Sequence, residues 1–242
     1  MAGSTTFIRS CSRHSGHAGL TKLEMLFWRT RKMDAPIQLD SPKDIPLFPL
    51  RVVMFPGSRL DLQIFEQRYL DMISRCMRTD TGFGICLLRE GEEFASEEGR
   101  QTIHRTGTYC SVIDWDQLEN GLLGITVEGQ AKFRVTDCWQ GDSNVLEATV
   151  AFSEQDRLGK EAIPVDDTYA ELVGLLQSLE KHPLVEQKML TIDYDNLWEL
   201  GWRLGEFIPI AVDQKQQMLD FDDPWERISA IKQLVAEMAG EP

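Results

Sequence analysis

The run from Ile45 to Ile73 constrains the fold more than any other part of the chain, because the residues that separate its predicted strands and helix lie within it. Its sequence is IPLFPLRVVMFPGSRLDLQIFEQRYLDMI. Its first apolar segment ends at Pro56-Gly57, since proline fixes φ and glycine allows positive φ. Apolar and polar residues alternate from 59 to 64, the period of a half-buried strand. A helix with a buried face is predicted from Glu66, and Glu66 and Arg68 are expected to form hydrogen bonds or a salt bridge at its start. The run therefore predicts strand, tight turn, strand and helix.

The pattern after this helix is typical of strands as far as residue 153. Asn120-Gly121 before an apolar run is a strong hairpin signal. The predicted strands cover 83–89, 102–118, 122–129, 131–140 and 145–153. Six or seven strands with short turns and one inserted helix predict a small β-barrel, closed or nearly closed, because closure removes exposed strand edges.

Helical periodicity replaces the alternation from about residue 164 to 240. Asp213 and Asp223 are expected to cap two of these helices. Gly201 and Gly205 lie one turn apart, so a neighbouring element is expected to approach that helix closely. The helices are predicted around 169–179, 197–208, 213–219 and 224–238. The chain is therefore predicted to be α+β, with a β-barrel subdomain at 41–155 and a helical bundle at 156–242.

The amino-terminal tail, residues 1–40, differs from the rest in charge and composition. Residues 1–33 carry a net charge of +5 and the remainder −19, which gives −14 for the chain. The tail is rich in Ser and Gly and lacks the apolar centre of a signal peptide. We expect it to be disordered apart from one helical turn at 23–28, and Met33 is the better candidate for the start of translation.

The acidic balance of the remainder limits the partners. Such a body repels phosphate backbones, so no nucleic acid partner is expected. It either confers solubility alone or favours basic polypeptide segments. No membrane partner is expected either, because no stretch reaches the ~18–20 apolar residues of a membrane helix. The five cysteines show no close-pair spacing. They are expected to be reduced, mostly core-filling and cytoplasmic, and neither a metal site nor another cofactor is expected.

Three segments together resemble the Lon protease amino-terminal, substrate-binding domain. The first is the 45–73 run, with its Phe-Pro-Gly and Phe-Glu-x-Arg-Tyr patterns. The second joins 107–115 to 127–135, where Lys132 precedes Phe-Arg in place of the usual Arg-Phe. The third is 197–235, with a Lys-Gln-x-x-Leu helix and an Asp-Pro-x-x-Arg helix. The resemblance covers about 34–240 and implies a barrel of the pseudouridine synthase and archaeosine transglycosylase (PUA) type, followed by a helical bundle.

Full Lon proteases also contain an ATPase domain and a protease domain, and neither is recognised here. A phosphate-binding loop needs G-x-x-x-x-G-K-[ST], and Gly159-Lys160 lacks the rest of that motif. The serine–lysine dyad of the family belongs to the protease domain, so no residue inherits it. The chain looks like a stand-alone Lon amino-terminal domain that is not an enzyme, although its resemblance invites the label of an S16-like peptidase.

The first hypothesis is a non-catalytic module whose apolar groove binds exposed segments of client or partner polypeptides. The candidate binding residues are Phe55, Pro56, Gly57, Tyr69 and Trp115, and packing within the fold is the alternative interpretation of each. A second hypothesis is a hydrolase that uses two carboxylates on one face of a strand, at positions 114 and 116; a polar strand end is the alternative there. A third is a regulatory subunit that forms a homodimer or docks to a separate ATPase.

Overall fold

The computed structural model describes residues 42–91, 101–119 and 121–240. The chain divides into two units, Met1–Lys32 and Met33–Pro242, and every described residue lies in the second. The predicted disordered tail, with its helical turn at 23–28, therefore lies outside the described residues.

One mixed sheet contains the strands of the described part of the chain. Their bounds are β1 Lys43–Leu50, β2 Arg59–Ile64, β3 Phe83–Glu90, β4 Thr102–Gln117, β5 Leu123–Gln140 and β6 Leu146–Arg157. The strand order is β2-β5-β4-β3-β1-β6. The β1–β3 pair is parallel, and the other pairs are antiparallel. Because β5 also pairs with β6, the series of pairings from β5 through β4, β3, β1 and β6 returns to β5.

The helix α1, Gln67–Thr79, follows β2 directly, as the sequence predicts. The expected salt bridge at its start is confirmed, since Arg68 Nε lies 2.9 Å from Glu66 Oε2. The buried face of α1 contains Tyr69, Met72, Ile73, Cys76 and Met77. Together with β1 and β2, this helix confirms the strand, turn, strand and helix prediction.

The second half is helical, which confirms the α+β class. A 3₁₀ turn, Asp167–Tyr169, precedes five α-helices: α2 Ala170–Glu180, α3 Pro183–Glu186, α4 Leu197–Phe207, α5 Val212–Asp220 and α6 Pro224–Ala239. Asp223 caps α6 as predicted, because its Oδ1 accepts the Trp225 N–H at 2.8 Å. The predicted cap at Asp213 is wrong, since α5 begins at Val212, one residue before Asp213, and Ala211 holds the cap position.

Two clusters of buried apolar side chains stabilise the described unit. One lies within the sheet and includes Leu47, Tyr109, Phe133 and Val150. The other fills the space between the helices and includes Trp198, Trp202 and Ile228. Phe55 comes from the turn between β1 and β2, yet it belongs to the helical cluster. The turn therefore attaches the sheet to the helices.

Candidate functional site

Phe55 and Pro56 are buried, with no part of the Phe55 side chain exposed. The Phe55 ring packs against Gly205 of α4, where an added Cβ would lie only 2.9 Å from Phe55 Cζ. The close approach predicted for Gly205 is therefore confirmed. Phe55 and Pro56 therefore offer no exposed apolar surface at this turn, and packing within the fold accounts for Phe55, whose ring lies against α4.

The Arg203 side chain holds the same turn by hydrogen bonds to main-chain carbonyls of the turn. Its guanidinium is fully buried, donates from Nη1 to the Gly57 carbonyl at 3.1 Å, and donates from Nη2 to the Pro56 carbonyl. Gly57 has a φ of 73°, the left-handed region that favours glycine. An added Cβ at Gly57 would also lie 3.0 Å from Arg203 Nη2. Gly57 is therefore required by its conformation and by the space that Arg203 occupies.

Tyr69 lies in the sheet-facing side of α1 and is 2% exposed. Its ring stacks on Phe48 with centroids 4.0 Å apart, and the Arg68 guanidinium lies 4.4 Å from its centroid on the ring face. These contacts place Tyr69 in the packing of the fold. The structure does not bring it together with Trp115 at a surface.

Trp115 is the one member of the predicted set that lines a described cleft. It is half-buried on β4 and borders a cavity of about 310 Å³ at the outer part of β2, β5 and β4. Leu62 and Leu118 supply further apolar surface to the cleft, and Gly124 leaves part of its wall without a side chain. The arrangement combines an aromatic side chain with open space, which suits contact with another molecule.

Three aspartates line the same cleft: Asp61, Asp114 and Asp116. Asp61 on β2 is in register with Thr126 on β5, which is in register with Asp114 on β4. Asp116 is in register with Gly124, two residues along β5. Since residues two apart on a strand share a face, the three carboxylates face the same side of the sheet.

Each of these aspartate side chains accepts a hydrogen bond from an uncharged group. Asp61 Oδ1 accepts the Thr126 hydroxyl at 2.6 Å. The side chains of Asp114 and Asp116 each accept the N–H of the following residue, at 2.9 and 2.8 Å. Within the described residues, neither Asp61 nor Asp116 forms an ion pair, so the cleft carries a local negative charge.

A buried ionic network joins the sheet to the helices, and the sequence pattern hardly predicts it. Lys132 Nζ on β5 lies 3.0 Å from Asp156 Oδ2 on β6 and 2.7 Å from Asp222 Oδ1. Asp156 also accepts Trp202 Nε1–H at 2.6 Å and pairs with Arg227 of α6. Lys132, Asp156 and Arg227 are each at most 2% exposed. The one signal in the sequence is the unusual lysine before Phe133.

A second polar cluster lies beside the β1–β2 turn. The Ser58 hydroxyl donates to Glu206 Oε2 at 2.6 Å, and Lys188 Nζ lies 3.0 Å from Glu206 Oε1. Burial raises the pKa of nearby Glu199 despite the opposing effect of Arg203. Burial also lowers the pKa of Lys215, whose ammonium donates to the Glu206 carbonyl. Each charged side chain of this cluster contacts a neighbouring charged or polar group, and we interpret the cluster as one that stabilises the turn.

A separate cleft of about 520 Å³ lies along β4, β5 and β6. Its most exposed aromatic side chain is Trp139, at 37%. Cys138 is beside it, and burial together with the charge of Asp137 raises the pKa of its thiol. None of the predicted site residues lies in this second cleft.

The described cysteines are free thiols: Cys76, Cys86 and Cys110 are buried, and Cys138 is exposed. Burial raises the pKa of Cys76 to about 11, which disfavours its reactive thiolate. In the ranges that the structure describes, no group of three His, Cys, Asp or Glu side chains is placed to hold a metal ion. Among the same residues, no helix has the length and apolar character needed to span a membrane.

Comparison with known proteins gives a consistent family match. The family model of the ATP-dependent protease La (LON) substrate-binding domain matches residues 44–237. The chain is 25% identical to the Lon protease of Cytophaga hutchinsonii over 207 residues, which cover 80% of this chain and 24% of that protein. Its identity to the Escherichia coli Lon protease is also 25%, over 82% of this chain and 25% of that protein. The chain thus spans about a quarter of the length of the curated relatives it matches.

Two solved structures are similar to the chain. A Lon N-terminal domain protein from Xanthomonas campestris is 29% identical, with a TM-score of 0.64 over 80% of this chain and 98% of that one. The N-terminal domain of a Mycobacterium avium complex Lon protease is 16% identical, with a TM-score of 0.55 over 78% and 96%. The second similarity concerns the fold alone.

Proposed function

Because the chain belongs to the family of ATP-dependent protease La (Lon) substrate-binding domains, we propose that it is a non-catalytic module that binds exposed segments of client or partner polypeptides. The observation that carries the proposal is the family match over residues 44–237. The similarity to a Lon N-terminal domain protein over 98% of that protein's length supports it. Clients, partners and any link to a separate ATPase or protease belong to this proposal.

The cleft beside Trp115 is the proposed contact surface. Apolar side chains of a client would cover the exposed part of Trp115, and Leu62 and Leu118 would extend the apolar contact. Burial of apolar surface stabilises such a contact by about 25 cal/mol per Å² before the cost of association is subtracted. A cleft of about 310 Å³ accommodates a few side chains, which suits a short segment of an unfolded chain.

The other candidate residues have a supporting role in this proposal. Phe55, Pro56 and Gly57 hold the β1–β2 turn against α4, and the turn leads directly into β2, which borders the cleft. Tyr69 anchors α1, which follows β2. Direct contact of these four residues with a polypeptide stays a prediction, and it would require the turn or α1 to move away from its packing.

We also propose that the sheet is a small PUA-like barrel, as the family resemblance implies. The pairing of β5 with both β4 and β6 supports this proposal, because a continuous ring of pairings is what a closed barrel requires. We propose a cytoplasmic location for the protein. The four free thiols among the described residues support it, because thiols stay reduced in the cytoplasm.

The hydrolase hypothesis receives less support than the binding hypothesis. Asp114 and Asp116 are both exposed, and each accepts a hydrogen bond from its own strand. The described lining of the cleft contains neither histidine nor cysteine, serine or lysine as a partner for these carboxylates. A regulatory subunit that forms a homodimer or docks to an ATPase remains compatible with the family match, and the occupant of the cleft distinguishes it from a client-binding module.

Binding to an unfolded model protein tests the proposal. Dye-labelled lactalbumin, reduced and carboxymethylated so that it stays unfolded, would be titrated with the 242-residue chain and followed by fluorescence anisotropy. We expect saturable binding of the unfolded form and much weaker binding of the native, disulfide-intact form. Equal binding of both forms, or of neither, would contradict the proposal.

A matched pair of tryptophan variants tests the location. Trp115→Ala removes the aromatic side chain of the cleft and should weaken binding about tenfold, in the range of an interface residue of moderate importance. Trp139→Ala removes a tryptophan that is more exposed than Trp115 from the other cleft and should leave binding unchanged. If Trp139→Ala weakens binding instead, the contact surface lies at β4–β6.

A further inference from the structure

The strand β2 ends the hydrogen-bonded order of the sheet and pairs with β5 alone. Gly129 donates to the Ser58 carbonyl at 3.0 Å, so Ser58 directs its C=O group towards β5, while its N–H donates to the Phe55 carbonyl within the turn. In an antiparallel pair this direction alternates from one residue to the next. Arg59, Asp61 and Gln63 therefore direct their N–H and C=O groups away from β5, to the outer edge of the sheet.

The outer edge is occupied only near its beginning. Lys188 Nζ donates to the Arg59 carbonyl at 2.8 Å, and the Arg59 side chain reaches the Met189 carbonyl. Among the residues that the structure describes, the outward backbone groups of Asp61 and Gln63 have no partner. Asp61 and Gln63 lie two residues apart, so both can exchange main-chain hydrogen bonds with an added antiparallel strand.

Charge determines what kind of strand can pair there. A residue opposite Asp61 would lie on the side of the sheet that carries the cleft carboxylates. Asp114 lies two strands further across that face, about 10 Å from Asp61 at ~4.8 Å per strand, which is close to one Debye length at 0.1 M salt. A lysine or arginine at that position would pair with Asp61 and lie in the field of the cleft.

The neighbouring positions of an added strand face the other side of the sheet. A residue opposite Leu62 would extend the apolar row that continues through Ile125 to Trp115. Leu62 is half-buried, and Ile125 is 2% exposed. An apolar residue is favoured there, so the fitting sequence alternates basic and apolar residues.

A second copy of this chain does not meet this requirement. Pairing of two β2 edges would bring Asp61 of each copy towards the same acidic face, and like charges across strands destabilise the pair. The net charge of −14 adds a general repulsion between copies.

We propose that the outer edge of β2 binds an extended polypeptide segment as an added strand, and that the aspartates of the cleft select segments in which Lys or Arg alternates with an apolar residue. The inference rests on the proposed function and specifies its client class. It requires both main-chain hydrogen bonds along Asp61–Gln63 and the negative charge of the cleft, and each can be removed separately.

Three labelled peptides of equal length test the selection: alternating Lys-Val, alternating Ser-Val and alternating Glu-Val. Each would be titrated with the full chain by fluorescence anisotropy, beside the unfolded lactalbumin. We expect Lys-Val to bind at least about tenfold more tightly than Glu-Val, and the difference to shrink when salt rises from about 0.05 to about 0.5 M.

Two variants at one position test strand addition. Gln63→Pro deletes the outward N–H and leaves the bonds to β5 in place, because proline is tolerated on the open side of an edge strand. Gln63→Ala keeps that N–H. Gln63→Pro should weaken Lys-Val binding about tenfold, and Gln63→Ala by less than about twofold, as expected for the loss of a main-chain contact.

The peptide itself offers a test that does not depend on how Gln63→Pro folds. N-methylation of alternate residues of Lys-Val blocks the N–H groups on one edge of the peptide and keeps every charge. Two methylated peptides, one for each edge, should bind very unequally if only one edge faces β2. Equal binding of the two would overturn strand addition.

A charge-matched pair of double variants tests the cleft. Asp61→Asn with Asp116→Asn should lower affinity for Lys-Val about tenfold and lower the salt dependence. Glu154→Gln with Glu161→Gln removes the same charge from exposed positions outside the cleft and should leave affinity unchanged. If both pairs lower affinity equally, overall charge attracts the peptide and the cleft does not select it.

The outcomes separate this inference from the function on which it rests. Tight binding of unfolded lactalbumin with equal affinity for the three peptides would overturn the inference and leave the proposed function in place. No binding of the peptides or of unfolded lactalbumin would overturn both.

Discussion

At the scale of single residues, the absence of a side chain at Gly205 lets the sheet and the helices meet. The Phe55 ring occupies the space beside Gly205 and is completely buried there. Glycine in a helix interior is unfavourable relative to alanine by roughly 0.5–1 kcal/mol, so the position needs a packing reason. Gly174 in α2 provides a comparison, since nothing lies within 4 Å of an added Cβ there.

Alanine substitutions at these two glycines should have opposite effects. Gly205→Ala forces Phe55 out of its position and should lower the free energy of unfolding by about 1–3 kcal/mol, the cost of overpacking. Gly174→Ala should raise it by up to about 1 kcal/mol through helix propensity. Urea denaturation followed by circular dichroism measures both. Equal effects of the two substitutions would mean that Phe55 does not depend on Gly205.

The raised pKa of Glu199 gives a residue-scale prediction about pH. The folded protein binds this proton more tightly than the unfolded chain does, because burial disfavours the carboxylate. Its stabilising contribution is present below the ordinary value of 4.5 and is lost as pH rises through the folded pKa. Glu199→Gln stays neutral and keeps that contribution.

Glu199→Gln should therefore become more stable, relative to the original protein, as pH rises from about 4 to about 7. Urea denaturation at several pH values in this interval would measure the difference, with Glu161→Gln as a control for the loss of one exposed negative charge. A Glu199→Gln difference that does not change with pH would show that the carboxyl is not affected by burial.

At the scale of elements, β5 shows what the sequence pattern could and could not predict. The pattern predicts two strands, 122–129 and 131–140, because Gly129 resembles a break. The structure has one strand of 18 residues with Gly129 inside it. Glycine is needed at this position because an added Cβ would lie 2.4 Å from the Phe55 carbonyl oxygen. A glycine needed for close approach cannot be told from a turn glycine until the neighbouring element is known.

The candidate site shows the same limit. Alternation along β4 placed Asp114 and Asp116 on one face, and the structure agrees. Asp61 lies beside these two aspartates only because of the register between β2, β5 and β4. A local sequence pattern does not determine that register. The burial of Phe55 depends on α4, which follows it by some 150 residues of chain.

The two predicted helix caps give an element-scale prediction. Asp223→Ala removes the acceptor of the Trp225 N–H at the start of α6 and should cost about 1 kcal/mol of stability. Asp213→Ala removes a carboxylate from the first turn of α5 and should cost at most about half as much, as expected for a helix-dipole interaction. Thermal and urea denaturation would compare them. A larger effect at Asp213 would mean that α5 starts at the position predicted from sequence.

At the scale of the whole molecule, the described residues act as one unit because charged groups join the sheet to the helices. Asp156 on β6 accepts hydrogen bonds from Trp202 of α4 and from Arg227 of α6, and it also faces Lys132 of β5. A buried pair of this kind adds little net stability compared with an apolar replacement, but loss of one partner leaves an uncompensated charge. The network therefore enforces one arrangement of sheet and helices.

Asp156→Asn should lower the free energy of unfolding by about 3–5 kcal/mol, because Arg227 would stay buried without its counter-charge and Lys132 would keep only the exposed Asp222 as a charged partner among the described residues. Asp222→Asn is the control, since its side chain is 72% exposed although it also contacts Lys132. That substitution should cost no more than about 1 kcal/mol. Guanidinium denaturation would measure both, and a small effect at Asp156 would show that water reaches the network.

The contact between Arg203 and the β1–β2 turn constrains the identity of Arg203 more than the identities of the turn residues. Arg203 donates to the main-chain carbonyls of Pro56 and Gly57, and every amino acid has such a carbonyl. Mutations that keep the path of the turn therefore leave both acceptors in place, whereas a mutation of Arg203 removes both donors at once. Lineages that diverge from this chain can drift in the side chains of the turn for longer than they can drift at the arginine that holds it.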